Sequence, residues 1–166
     1  NNYKGTQFNL NKKYTYTDVC WLLNWKVEEV SLNIGGYKYD KYTNTYPVFI
    51  NYDKSEEVSA SIRYEDRFVD QSRLIAISKS QRTIASDDVD NAIHAEERQI
   101  LMPLFVRKNK DDKTSKEFYF LGTIKHNGHL QEFIMPDTDK SAVEIGYHLN
   151  TPVENNLYEY ITERTI

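Results

Sequence analysis

The chain has 166 residues, a net charge of −4, 39% hydrophobic residues and 28% charged residues. That length allows one domain with a proper core. The composition fits a globular chain rather than a disordered one, and the charge argues against non-specific nucleic-acid binding, although a local basic face stays open. Cys20 is the one cysteine, so an internal disulfide is excluded and a reducing compartment such as the cytoplasm is expected; no apolar run approaches the roughly 20 residues that span a bilayer, and no signal peptide is visible.

Residues 1–13 are polar, with Gly5 and several asparagines, and read as a linker or poorly ordered arm ahead of a single domain over 14–166. Because the first residue is Asn1 and not Met, a piece of a longer protein is expected. Thr15 or Thr17 can cap a short helix running to Trp25, with Asp18 in the first turn, where its charge suits the helix dipole. Trp21, Leu22 and Trp25 would form its apolar stripe, packed in a core. Asn33 to Tyr37 is a turn signal opening into a strand. Its double glycine lets the backbone bend or a ligand come close, but no glycine-rich loop leads into a helix, so this is no phosphate-binding fingerprint. Tyr37 and Tyr39 alternate with Lys38 and Asp40, and a turn at Lys41 to Thr45 leads to a strand over Tyr46 to Tyr52.

Ser61 to Arg82 carries the most chemistry. Its first half alternates as a strand does, with Ile62, Tyr64, Asp66 and Phe68 on one face and Ser61, Arg63, Glu65 and Arg67 on the other. A carboxylate among aromatic side chains is costly unless something hydrogen-bonds it, and that partner is either the protein itself or a ligand. A short strand over Leu74 to Ser78 follows, then the polar, basic run Ser78 to Thr83.

Ser86 would cap a helix over roughly Asp87 to Glu97. Leu101 to Arg107 and Glu117 to Lys125 read as paired strands joined by the charged loop Lys108 to Lys116, best taken as a solvated hairpin tip and otherwise as a loop touching a phosphate backbone. Leu130 to Met135 and Val143 to Leu149 are further strands, and Asn155 to Glu163 is a closing helix. Seven or eight short strands with helices at the start, middle and end predict an α+β domain built on a bent sheet or small β-barrel with flanking helices.

No catalytic set emerges, so the chain is not expected to be an enzyme by itself. His126 and His129 would flank a turn and His94 would lie on a helix, with no cysteine or acid beside them or His148 at a zinc spacing, so neither metal nor cofactor is expected. No serine sits in a nucleophile-elbow setting. Thirteen tyrosines are the compositional outlier; most would pack in sheets, and some could stack on a base. Near the aromatic strand, Arg63, Arg67, Arg73, Lys79 and Arg82 gather against Glu65, Asp66 and Asp70. Such cations, with Ser78 and Ser80, can hold phosphates; aromatic rings stack on bases; a carboxylate accepts from a cytosine amino group. These would suit a pocket for one extruded base beside a basic lip. Equally, Asp66 and Arg67 could pair with neighbours and only hold the fold.

Several motifs recur in one family. They are YTxxDVxxLLNW (Tyr14 to Trp25), NIGGYKYDKxTNTxPxFI (Asn33 to Ile50), SASxxYEDRFxD (Ser59 to Asp70), SxSxRT (Ser78 to Thr83), PLFVRK (Pro103 to Lys108), FYFLG (Phe118 to Gly122) and LNTPVENNLYEYI (Leu149 to Ile161). Spread over nearly the whole chain, they resemble the C-terminal target-recognition domain of type IV, modification-dependent restriction endonucleases of the SauUSI type. The resemblance implies a parent protein with a phospholipase-D-type nuclease and a superfamily-two helicase ahead of this domain, a bacterial cytoplasmic setting, and an ATP-dependent role in phage defence. It also implies an SRA- or PUA-like fold and recognition of 5-methylcytosine, and of 5-hydroxymethylcytosine, in double-stranded DNA.

The pocket residues follow from strand faces and not from a family motif: Tyr64 or Phe68 with Tyr37 or Tyr39 would sandwich the flipped base, and Asp66 would accept from its amino group. Arg63, Arg67, Ser78, Lys79, Ser80 and Arg82 would hold phosphates or fill the gap in the duplex. The alternatives are a reader of another DNA modification such as phosphorothioate, a domain regulating the helicase by protein contacts, or an RNA-binding barrel.

Overall fold

The computed structural model describes residues 2–3, 5–26, 36–52, 65–108, 116–136 and 138–163. Among these, seven strands and three helices make an α+β fold: β1 (Lys13–Tyr14), α1 (Tyr16–Leu22), β2 (Val48–Asn51), β3 (Arg67–Asp70), β4 (Arg73–Ile77), α2 (Asp87–Ile93), β5 (Pro103–Arg107), β6 (Phe118–Ile134), β7 (Ser141–Leu149) and α3 (Asn155–Thr162). The sheet order is β2-β5-β6-β7-β4-β3, with β1 beside β6; β2 and β5 run parallel and every other pair is antiparallel.

The sheet curls because of β6. Instead of two strands with a turn at His126 to His129, the chain continues as one 17-residue strand. Its register slips twice, opposite Pro103 to Phe105 and again between His126 and Leu130. Gly122 and Gly128, with φ of +91° and +100°, sit at these bulges in a conformation other residues rarely adopt. Bulges bend a strand and sharpen its twist, so the first half of β6 pairs with β5 and the second with β7. The result is a half-barrel. Val48, Ile50, Leu74, Leu104, Val106, Leu121, Val143, Ile145 and Tyr147 fill its inside, joined by Val89 and Ala92 of α2 and Ile161 of α3.

The outside of the β2–β5–β6 half is also covered, which the sequence reading missed. The segment expected to be a linker packs there: Phe8 is fully buried, its ring 5.2 Å from that of Phe105 and 5.1 Å from that of Phe120. Phe49, Phe118, Val19, Cys20 and Trp25 complete this second core. Helix α1 begins as predicted, with Thr15 and Asp18 exchanging side-chain-to-backbone hydrogen bonds in a capping box. It stops at Leu22, however, and its buried positions are Val19 and Cys20. Trp21 is therefore 72% exposed, while Trp25, beyond the helix, is buried and donates its indole N–H to Thr45 Oγ1 at 2.8 Å. Helix α2 ends at Ile93, not Glu97; Ser86 is its N-cap residue as predicted, but its hydroxyl makes no capping bond and accepts from Thr83 N–H.

The curl brings the two ends of the sheet together. Tyr52, just past β2, accepts a hydrogen bond on its hydroxyl from the Phe68 N–H of β3 at 3.1 Å, and the two rings lie 5.5 Å apart. Tyr37 pairs with Val48 and reaches across to Lys79, whose N–H donates to the Tyr37 hydroxyl at 2.9 Å. No helix among the described residues is long and apolar enough to cross a membrane.

Candidate functional site

At this seam lies a cleft of about 200 Å³. One wall is Gly36, Tyr37 and Val48 to Ile50; the other is Asp66 and Ala76 to Lys79. Below Tyr37 the side chains of Tyr46, Val89, Ile145 and Tyr147 leave only about 10 Å³, so the floor is solid. The volume is below the roughly 300–1,000 Å³ of drug-sized sites. Four side chains that the sequence singled out, those of Tyr37, Asp66, Ser78 and Lys79, meet here.

Asp66 has its partner inside the protein: Oδ1 accepts from the Ile77 N–H at 2.7 Å, which fixes the carboxylate at the end of β4. The Tyr37 hydroxyl donates to Asp88 Oδ2 at 2.6 Å, and its ring stacks on Tyr46 with centroids 5.6 Å apart. The Lys79 ammonium lies 4.7 Å from the Tyr37 ring centroid and donates to the Tyr37 carbonyl at 3.0 Å. Burial pushes the Lys79 ammonium below its ordinary pKa, and the Arg82 charge adds to this. Burial also raises the Tyr37 phenol, helped by its bond to Asp88. Ser78 is buried and engaged twice, accepting from Val143 N–H at 2.8 Å and donating to the Lys79 carbonyl at 2.9 Å. That hydroxyl locks β7 to the end of β4.

Asp88 was read from the sequence only as a first-turn acid of α2. Besides Tyr37, its Oδ2 accepts from Arg82 Nε at 2.9 Å, and its carbonyl accepts from the Tyr46 hydroxyl at 3.0 Å. Burial acts to raise the Asp88 carboxyl, but the hydrogen bonds from Tyr37 and Arg82 outweigh it and hold the pKa below the usual range. Nothing in the sequence marks this residue, since Tyr37 and Asp88 are 51 positions apart.

The remaining predicted residues scatter. Phe68 points into the main core, 5.6 Å from the Tyr158 ring. Tyr39 donates to Asn44 Oδ1. Arg67 pairs with Glu144 at 3.2 Å, and Glu144 also meets His129 at 2.6 Å. Arg73 pairs with Asp70 at 2.7 Å. Arg82 also donates to the Ser80 carbonyl. Three of the predicted cations, Arg67, Arg73 and Arg82, are thus paired with internal acids. Arg63, Tyr64 and the tip of the Lys108 to Lys116 loop lie outside the described residues. Among the described residues, no group of three His, Cys, Asp or Glu stands close enough to hold a metal ion.

The fold has solved counterparts at low identity. The SRA domain of SUVH5, solved with hemimethylated CG DNA, superposes with a TM-score of 0.55 at 12% identity over 89% of this chain and 93% of that one. The DNA modification-dependent restriction endonuclease AspBHI gives 0.55 at 10% identity over 95% and 83%. KRYPTONITE, solved with mCHG DNA, gives 0.54 at 9% identity over 88% of this chain and 33% of that one. The curled half-barrel with its three flanking helices is therefore the SRA fold. No curated protein matches the sequence. A family model described as a domain of unknown function (DUF3427) matches residues 8–161, nearly the whole chain, and the protein belongs to that family.

Proposed function

We propose that this domain reads a modified cytosine in double-stranded DNA by taking the base out of the stack into the seam cleft. The modifications are 5-methylcytosine and 5-hydroxymethylcytosine, and the outcome is to target a modification-dependent endonuclease whose nuclease and helicase belong to the same parent chain. The observation that carries this reading is the cleft itself: one ring (Tyr37), one fixed carboxylate (Asp66) and an apolar wall (Val48, Ile50, Ala76, Ile77) in a space sized for a single base. The likeness in fold to SRA domains solved with methylated DNA, and to a modification-dependent endonuclease, supports it.

The chemistry divides simply. Tyr37, backed by Tyr46, supplies stacking worth about 1–3 kcal/mol per base, with the base taking the place of the Lys79 ammonium over the ring. Asp66 accepts from the cytosine N4 amino group, which selects cytosine over thymine. The apolar wall takes the 5-substituent, where one methyl group adds only about 0.8 kcal/mol. Extrusion costs a few kcal/mol, so the flipped state is close to balanced and contacts to flanking bases must complete it. With Arg67 and Arg82 paired to acids, phosphate contacts cost an exchange of partners, and the cleft carries more of the affinity than the lip.

Fluorescence anisotropy with a methylated duplex tests the assignment. Tyr37→Ala and Asp66→Ala should each weaken binding about tenfold or more. Wild-type affinity in both variants overturns the base pocket.

A further inference from the structure

Asp88 lies outside the cleft wall, yet it binds two of the groups that the proposed function uses. One oxygen, Oδ2, takes the Tyr37 hydroxyl at 2.6 Å and Arg82 Nε at 2.9 Å. The other, Oδ1, accepts the Val89 N–H at 2.9 Å, which fixes the carboxylate's orientation. The Tyr46 ring, stacked on Tyr37, is tied to the same residue through the Asp88 carbonyl. A phenol bonded at its far end loses rotational freedom about its χ angles, so the Tyr37 ring is held ready in the cleft before any ligand enters. Preorganised rings bind more tightly because less freedom is lost on binding.

We propose that Asp88 is the positioning residue of the site: it holds the Tyr37 ring for stacking and keeps Arg82 beside the Tyr37 hydroxyl, and it touches neither the base nor the phosphates. This rests on the reading of the cleft as a base pocket. The charge state agrees with the geometry, since the carboxyl stays ionised well below neutral pH and the Tyr37 phenol stays protonated as the donor. Arg82 has a second consequence. A phosphate that captures Arg82 takes it from Asp88, leaving Tyr37 as the sole side chain donating to Oδ2 in the Asp88 contacts described above. Backbone capture and ring positioning are therefore coupled through one oxygen atom.

A double-mutant cycle tests this with the full 166-residue chain and one duplex, methylated or unmodified, as the probe. Tyr37→Phe removes the hydroxyl and keeps the ring; Asp88→Asn keeps the shape and removes the charge; the double variant combines them. Each single change should weaken methylated-duplex binding about tenfold, the order expected for a lost hydrogen bond to a charged group. In the double variant the loss should be no larger than the greater single loss, because both act on one interaction. In the free protein, a 3-fluorotyrosine at position 37 should shift its ¹⁹F resonance on Asp88→Asn. Multiplying losses with an unmoved resonance show that Asp88 acts only on general stability and overturn the proposal, while leaving the base pocket standing. A wild-type chain that binds both duplexes equally overturns the pocket reading and this proposal together.

Discussion

Ser78 shows how a polar side chain in a basic run can be tied into the fold. From the sequence, Ser78 belongs with Lys79, Ser80 and Arg82 as a phosphate ligand. In the structure it is buried and bonded on both sides. Ser78→Ala leaves the Val143 N–H without its partner and should cost about 1–3 kcal/mol in urea denaturation, with unchanged preference between methylated and unmodified duplex. His126 and Asp88 are two of the side chains that shape the response to acid. Burial lowers the His126 pKa, despite its bond to the Gly146 carbonyl, so the unfolded chain binds more protons at this site. Its contribution to stability is intact above the ordinary histidine value of about 6.5 and fades as pH falls below it. Asp88, with its depressed pKa, adds a second loss below the unfolded carboxylate value of about 3.9. Urea midpoints should therefore fall on acidification in two stages, with the lower stage smaller in Asp88→Asn but still present, because Arg73 and Arg98 hold the Asp70 and Asp90 carboxyls low as well.

At the scale of elements, the sequence was most legible where local chemistry decides. The capping box of α1, strands β4, β5 and β7, and helix α3 fall within a few residues of their predicted positions because caps, alternation and turns are written locally. It was least legible where distant packing decides. Residues 5–13 are polar on average, and a single Phe8 turns them into the lid of an aromatic cluster. Likewise Gly128 reads as a turn but sits at a bulge, since β7 is long enough to pair with β6 on both sides of it. The cleft shows the same division. The alternating face, most of which lies outside the described residues, singled out Asp66 as a carboxylate needing a partner, but could not say that Ile77 N–H binds it or that Phe68 faces the core. Phe8→Ala should cost about 3–5 kcal/mol in chemical denaturation, far more than truncation in a linker would.

For the molecule as a whole, the site is a product of closure. No single element holds it. Tyr37 comes from before β2 and Asp66 from before β3, and the two meet only because a bulged β6 bends six sheet strands into a half-barrel. A net charge of −4 and internally paired arginines make this a poor general binder of DNA, which suits a reader whose selectivity lies in one cleft. The most direct measurement is an anisotropy titration of the chain against one duplex in two forms, carrying 5-methylcytosine or unmodified cytosine at a single position, at about 100 mM salt, where phosphate contacts are weakened. Binding to the methylated form should be tighter, by at least the roughly fourfold that one buried methyl group provides. Equal affinity for the two duplexes would contradict it.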